Sequence, residues 1–335
     1  MATTSPKVAQ AGQPAGQPGV EFSRPVRSLW SDAWHRLRRN KLSMIGLFYL
    51  GFLIIVAVAA PLIVTNPPQR PGGTELRERG TYRQAAWIET KDPKKTGSWK
   101  YPLGTDSVGG DVFSRLVYGT RVSLIVGFIP MIFTLLIGVS VGLIAGFVGG
   151  TVDAILMRFT DVVFALPDIL FFIIVQTTFG GTAFGRLFNG LVLIFVSFSL
   201  VNWAGVARLV RGQVLSLKEK EFVEAATAVG VSNLSIMRQH ILPNALSPII
   251  VAGAFIVPGA IITEAVLSFL GIGIQVSTDP KNPFPTSWGQ MILDGKSGME
   301  SQPWMLIGPA LAIASITIAF VALGDGLRDA LDPRN

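Results

Sequence analysis

LSLKEKEFVEAATAVGVSNLSIMRQHILPNAL, residues 215–246, is a polar stretch set between two apolar ones. Ser216 and Glu219 have the spacing of a capping box, which predicts a helix from Leu217. Good helix formers, Glu224, Ala225 and Ala226 among them, carry it to Val229. Gly230 then stands where a helix end favours a left-handed residue. Ser232 or Asn233 can cap a second helix. Pro243 is expected to stop that helix, because the residue before a proline avoids helical geometry. A rigid knob of this kind between two membrane-crossing segments suits a part that transmits force.

Composition supports the membrane setting. Of 335 residues half are hydrophobic and only 15% are charged, and mean hydropathy is positive. A net charge of +7 fits cytoplasmic loops over anionic lipid headgroups. No nucleic-acid-binding motif accompanies it, so nucleic acid is not an expected partner. The absence of cysteine excludes disulfides, thiolate catalysis and cysteine-based metal sites, and two histidines cannot make a His-rich one.

Residues 1–27, rich in Ala, Gly, Gln and Pro, are expected to form a disordered tail, with no apolar run to make a signal peptide. Residues 28–66 hold an interfacial helix, with Leu29, Trp30, Ala33, Trp34 and Leu37 on one face, and a first span from Leu42 to Val64. His35 reads as a surface residue of that helix. Arg36 to Lys41 argue for a cytoplasmic N-terminus. Residues 67–120 are expected to form an extracytoplasmic loop and a short helix, capped by Thr105 or Asp106 and ending at Gly119. The core, 121–335, supplies five more spans: about 122–148, 161–178, 187–210, 246–274 and 304–323. Glycines at 138, 142 and 146 form a small-xxx-small ladder for close helix approach. Pro167 predicts a kink in the third span, and Pro258-Gly259 a break in the fifth.

Polar groups inside the spans are the candidates for a translocation path: Asp168, Asn202 and Glu264. Asp168 can also cap a helix restarting after Pro167, and Glu264 can bond backbone freed by Pro258, a structural use that the residues favour. Two strings mimic catalytic motifs. Gly138-Val-Ser140-Val-Gly142 spells G-x-S-x-G, but its flanks are continuous apolar helix and no histidine is near in sequence. Gly289 to Lys296 nearly spells a phosphate-binding loop, but five residues separate its glycines and no strand precedes it. No cofactor site is therefore expected in this chain.

Glu224-Ala225-Ala226, Gly230, Val231, Ser232 and Leu242-Pro243 together resemble the EAA loop of ABC-importer permeases. His240 departs from that pattern, where an aliphatic residue is usual. His240 to Asn244, Gly104-Thr105-Asp106, Leu267 to Gly271 and the tail from Gly324 to Pro333 are similar to the dipeptide and oligopeptide branch. Gly110 replaces the arginine usual there. The resemblance implies an all-α integral membrane protein with six transmembrane helices, the type I ABC importer permease fold, in the plasma (inner) membrane with both termini cytoplasmic. It implies a coupling helix in the knob, a homologous sister permease, two ATPase subunits carrying ATP and magnesium, and an extracytoplasmic substrate-binding protein. The permease itself would not be an enzyme.

Two other classes fit parts of the chain. A gradient-driven secondary transporter would use a broken helix with an intramembrane acid, as at Pro258 and Glu264. An intramembrane hydrolase would need Ser140. Within the importer class the cargo is open between peptides and another small solute such as nickel.

Overall fold

The computed structural model describes residues 29–331 apart from 70, 72, 278, 280 and 281. The expected tail, 1–27, lies outside the described residues. The described chain is helical throughout its spans: α1 (Leu29–Arg39), α2 (Lys41–Ile63), α3 (Gly73–Arg79), α4 (Val112–Val148), α5 (Gly150–Phe164), α6 (Asp168–Phe179), α7 (Leu191–Lys218), α8 (Glu221–Ala228), α9 (Asn233–Ile236), α10 (Leu242–Phe269), α11 (Trp288–Lys296) and α12 (Trp304–Leu331). Among the described residues five helices are long and apolar enough to cross a membrane, and the α5–α6 pair, bent by 76° at Pro167, makes a sixth when counted as one broken span.

Several boundaries differ from expectation, each for a physical reason. No short helix stops at Gly119. Asp111, not Thr105 or Asp106, caps α4, accepting the Phe113 N–H at 3.2 Å, and the helix runs on to Val148. Asp106 is engaged elsewhere, accepting the Val108 and Gly110 N–H groups at 2.9 and 2.7 Å. The fifth span is unbroken at Pro258-Gly259, since α10 runs from Leu242 to Phe269 with both residues inside it. Pro258 and its neighbours Val257, Ala260 and Ile261 are buried, so packing holds the helix where local preference would interrupt it.

The spine of the bundle is the α4–α7 pair, the most extensive helix contact among the described residues. The glycine ladder makes it possible. A Cβ on Gly142 would stand 2.6 Å from the Ala207 carbonyl oxygen and 2.7 Å from Val210 Cβ. Gly138 meets Val206 and Gly146 meets Val214 in the same way. Close approach of backbones replaces the hydrophobic drive that lipid does not supply. At its far side α2 packs on α12, where Ser43 donates to the Ala322 carbonyl at 2.7 Å. The amphipathic α1 lays Ala33 and Leu37 on Ala330, Leu323 and Leu327 near the end of α12, with His35 exposed.

The two ends of the bundle are built differently. At one end the segment between α3 and α4 folds over α11 and the start of α12. Trp304 donates to the Leu103 carbonyl at 2.8 Å, Gln302 to that of Arg83 at 2.7 Å, and Trp288 to that of Leu116 at 2.9 Å. Arg115, 2% exposed, is at the centre, paired with Asp106 and with Asp294 and hydrogen-bonded to Thr286. The other end carries α8 and α9.

Candidate functional site: the α8 knob

The helix at the knob is shorter than the 217–229 expected. Span α7 runs through Ser216 to Lys218, so Ser216 and Glu219 make no capping box, and α8 covers only Glu221–Ala228 behind Lys220. The extension of α7 is explained by what its last turns touch. Val210 and Val214 are buried in the core beneath the knob, and Lys218 Nζ donates to the Phe147 carbonyl at the end of α4 at 2.7 Å. A cation on the last carbonyls of a helix is favoured by its dipole.

The C-terminus of α8 closes as the residues require. Gly230 has φ +81°, Gly230 N–H bonds the Thr227 carbonyl at 3.0 Å, and Val231 N–H reaches back to that of Ala226 at 3.1 Å. That is a Schellman motif, and Val231 supplies its apolar contact on the same core as Ala226. Ser232, rather than Asn233, caps α9, accepting the Ser235 N–H at 3.4 Å.

Pro243 does not stop the second helix. A π turn, Met237–Ile241, links α9 to α10, and Pro243 lies in the first turn of α10. Leu242 N–H bonds the Met237 carbonyl five residues back. The wider turn makes room for a ring that would clash with the carbonyl four residues before it. Asn244 Nδ2 ties the π turn down from beyond, donating to the His240 carbonyl at 2.6 Å.

The face that α8 buries is narrow. Val223 and Ala226 pack with Val214, Ile236, Ile241 and Ala245. Glu224, Ala225, Gly230, Ser232 and Pro243 are exposed, Val231 and Leu242 half-buried. Beside them are exposed apolar side chains that the pattern reading did not single out: Phe222, Leu234 at 71% and Val229 at 80%. Three large apolar side chains around one short helix are thus left outside the packed core. An open groove of about 630 Å³ runs along it, lined by Phe147, Lys218, Val223, Glu224 and Thr227.

Residues 138–335 match the model of the family described as binding-protein-dependent transport system inner membrane component. The chain belongs to this permease family. Residues 28–78 match the N-terminal transmembrane domain of oligopeptide transport permease C. The permease is 40% identical to the dipeptide transport system permease protein DppC of Bacillus subtilis, over 93% of this chain and 88% of that one. It is 37% identical to the oligopeptide transport system permease protein OppC of Haemophilus influenzae, over 96% and 98%. Among solved structures it is similar to a chain of the inward-facing MetNI methionine ABC transporter, with a TM-score of 0.49 and 18% identity over 65% of this chain and 96% of that one.

Within the permease the three candidate path residues lie on three helices, and no hydrogen bond joins any two of them. Asp168 opens α6, is exposed, and turns Oδ1 to the Ile169 N–H at 2.8 Å. Asn202 is half-buried on α7 and donates to the Phe198 carbonyl of its own helix at 3.0 Å. Glu264 is 1% exposed, and its Oε1 accepts two hydroxyls at 2.6 Å, Ser268 one turn on and Ser287, the cap of α11. That carboxyl joins α10 to α11. Ser140 bonds the Leu136 carbonyl inside α4 at 2.7 Å, with no elbow around it. Gly289 and Lys296 lie in helix α11, which forms no loop around a phosphate.

Two ion pairs hold the broken span to the spine. Arg211 forks onto Asp153, Nε to Oδ1 and Nη2 to Oδ2, both at 2.6 Å. Arg208 Nη2 meets Asp161 Oδ1 at 2.6 Å. The partners in these pairs are 47 and 58 positions apart in sequence, beyond the reach of any local pattern.

Proposed function

We propose that this permease is the membrane-spanning subunit of an ATP-driven peptide importer and that α8 is its coupling helix. In this reading the sister permease completes the path, and ATP and magnesium are bound and used on two separate ATPase subunits. An extracytoplasmic binding protein delivers the cargo. The chain is in the inner membrane with both termini, and the knob, on the cytoplasmic side. The dipeptide and oligopeptide permeases among its relatives support a peptide cargo.

The observation that carries the proposal is the division of α8 into a buried and an exposed face. Val223 and Ala226 anchor it to α7 and α10, so a push on the helix reaches two spans at once. Glu224, Phe222 and Val229 are left outward for a partner, Glu224 as a charged hydrogen-bond acceptor. ATP-driven closure of the ATPases would then carry α8 as a rigid body and rock the spans.

The test is purification in mild detergent from the native membrane, with mass spectrometry of the co-purifying subunits. A sister permease and ATPases are expected, and the ATPases are expected to be lost from Gly230→Val while the permeases stay paired. A Cβ at Gly230 meets nothing within 4 Å, so the spans are not disturbed directly. A homo-oligomer of this chain, free of any ATPase after gentle crosslinking, would overturn the reading.

A further inference from the structure

The bundle end opposite the knob holds a cleft of about 550 Å³ between the end of α6, the turn before α7 and the residues after α10. Its lining includes Gln176, Arg186, Asn189 and Gln275, and the remainder is glycine apart from Ile272. The glycines leave main chain, not side chain, facing the space. Arg186 is the one charge, and no carboxylate lines the cleft. The Arg186 guanidinium has no hydrogen-bond or ion-pair partner among the described residues.

Gln176 stands in the wall of the same cleft. Its side chain is 7% exposed, and its Nε2 is buried with no hydrogen-bond partner. A buried amide donor without a partner is costly, and an acceptor that reached it would offset that cost. Gln275 is arranged the opposite way. Its Nε2 faces the Gly271 and Gly273 carbonyls at 3.4 Å, which turns Oε1 away from them as an acceptor. The turn between these groups is held in a costly form, with positive φ at Phe188, Asn189 and Gly190 in succession. The cleft thus offers a cation and an acceptor around exposed main chain, with an unpartnered buried amide in its wall.

We infer that this cleft is a subsite for the C-terminal carboxylate of the transported peptide, with Arg186 taking the carboxylate, Gln176 the last carbonyl and Gln275 a peptide N–H. The inference rests on the peptide-importer reading above and deepens it. It differs from recognition by a binding protein, because the groups belong to the permease itself.

The chain contains no cysteine, so one introduced thiol in it is unique. Gly181 lines the cleft with open space around its Cβ position, which makes Gly181→Cys the reporter. The full importer carrying it, on an otherwise cysteine-free background and without binding protein, is placed in nanodiscs of zwitterionic lipid. The rate of thiol modification is then read with trialanine, with trialanine amide, or with neither. Trialanine is expected to slow labelling roughly tenfold, the worth of one charge-assisted hydrogen bond, and the amide to leave it unchanged. Adding Arg186→Gln is expected to abolish the protection, and Gln176→Leu to raise the trialanine concentration needed for it. Equal protection by acid and amide, or protection surviving Arg186→Gln, overturns the carboxylate subsite. So does protection by anionic lipid but not by trialanine, which would make the cleft a headgroup site. Uptake of peptide by the same complex with its binding protein is measured in parallel. Uptake without protection ends the subsite and leaves the importer reading intact, whereas no uptake of any peptide ends the reading beneath it.

Discussion

The two ends of the bundle solve opposite problems. The loop end is closed on itself: Arg115 is buried with two carboxylate partners, Trp304 and Gln302 tie the segment before α4 to the start of α12, and Trp288 of α11 bonds α4 itself. The knob end is left open. α8 is held by Val223 and Ala226, and Phe222, Val229 and Leu234 face outward. A region whose buried charges are paired within it, as Arg115 is with Asp106 and Asp294, can be rigid alone, whereas a region that leaves large apolar groups exposed offers them to something else. The difference separates a closed end from an open one within one chain, and the open one is where the coupling role is proposed.

Substitutions can break that contrast, and the largest effect is expected at the closed end. Arg115→Met should strand Asp106 and Asp294 at a buried site and destabilise by about 3–5 kcal/mol, the usual cost of removing one partner from a buried ion pair. Thermal unfolding of the detergent-solubilised complex would show it, and a shift no larger than that of a surface mutant would mean that this end is not rigid by virtue of its charges. Next comes the spine. Gly142→Val forces a side chain into a space where even Cβ lies 2.6 Å from the Ala207 carbonyl oxygen. Overpacking of this kind costs about 1–3 kcal/mol or more, and yield of folded protein is the readout.

At the open end the effects on stability are smaller and those on function larger. Gly230→Val places a β-branched residue at φ +81°, a local cost of about 1–2 kcal/mol. Melting of the permease pair should shift by no more than that local cost, while the ATPases no longer co-purify with it. Arg208→Gln is last. Its pair with Asp161 is exposed at both ends, so about 0–1 kcal/mol is expected, and a larger loss would mark α5 as part of the moving assembly.

Asp111 gives the closed end a pH dependence. Burial raises its carboxyl above the ordinary value, partly offset by hydrogen bonds from Ser114, Asn66 and the Phe113 N–H. The folded chain therefore holds a proton over a window where the unfolded chain has released it, and stability falls as pH climbs through that window. Asp111→Asn should flatten the slope. A rise in wild-type stability over the same range would contradict this account of the site.

Local chemistry was legible where it acts alone. Gly230, Ser232, the Pro167 kink and the glycine ladder were read from residue type and spacing, because backbone conformation or close approach demands those residues. The start of α8 was not legible. Ser216 and Glu219 carry a capping pattern, but Lys218 on Phe147 and the burial of Val210 and Val214 extend α7 past it. The continuity of α10 through Pro258 escaped for the same reason, since neighbours hold the helix and a pattern does not contain its neighbours. The Arg115 cluster joins residues 9 and 179 positions apart, a distance no spacing rule spans.

The α4–α7 spine carries a consequence of its periodicity. Gly138 lies against Val206, Gly142 against Val210 and Gly146 against Val214, so the same notch meets the same tooth every four residues on two parallel helices. Such a seam is a rack with a pitch of about 6 Å, four residues at 1.5 Å each. Displaced by one tooth it would still mesh at two of its three positions. The seam alone therefore fixes the helices only modulo one turn, and contacts outside it set the register, Ser199 on the Pro130 carbonyl in mid-span and Lys218 on the Phe147 carbonyl at the knob.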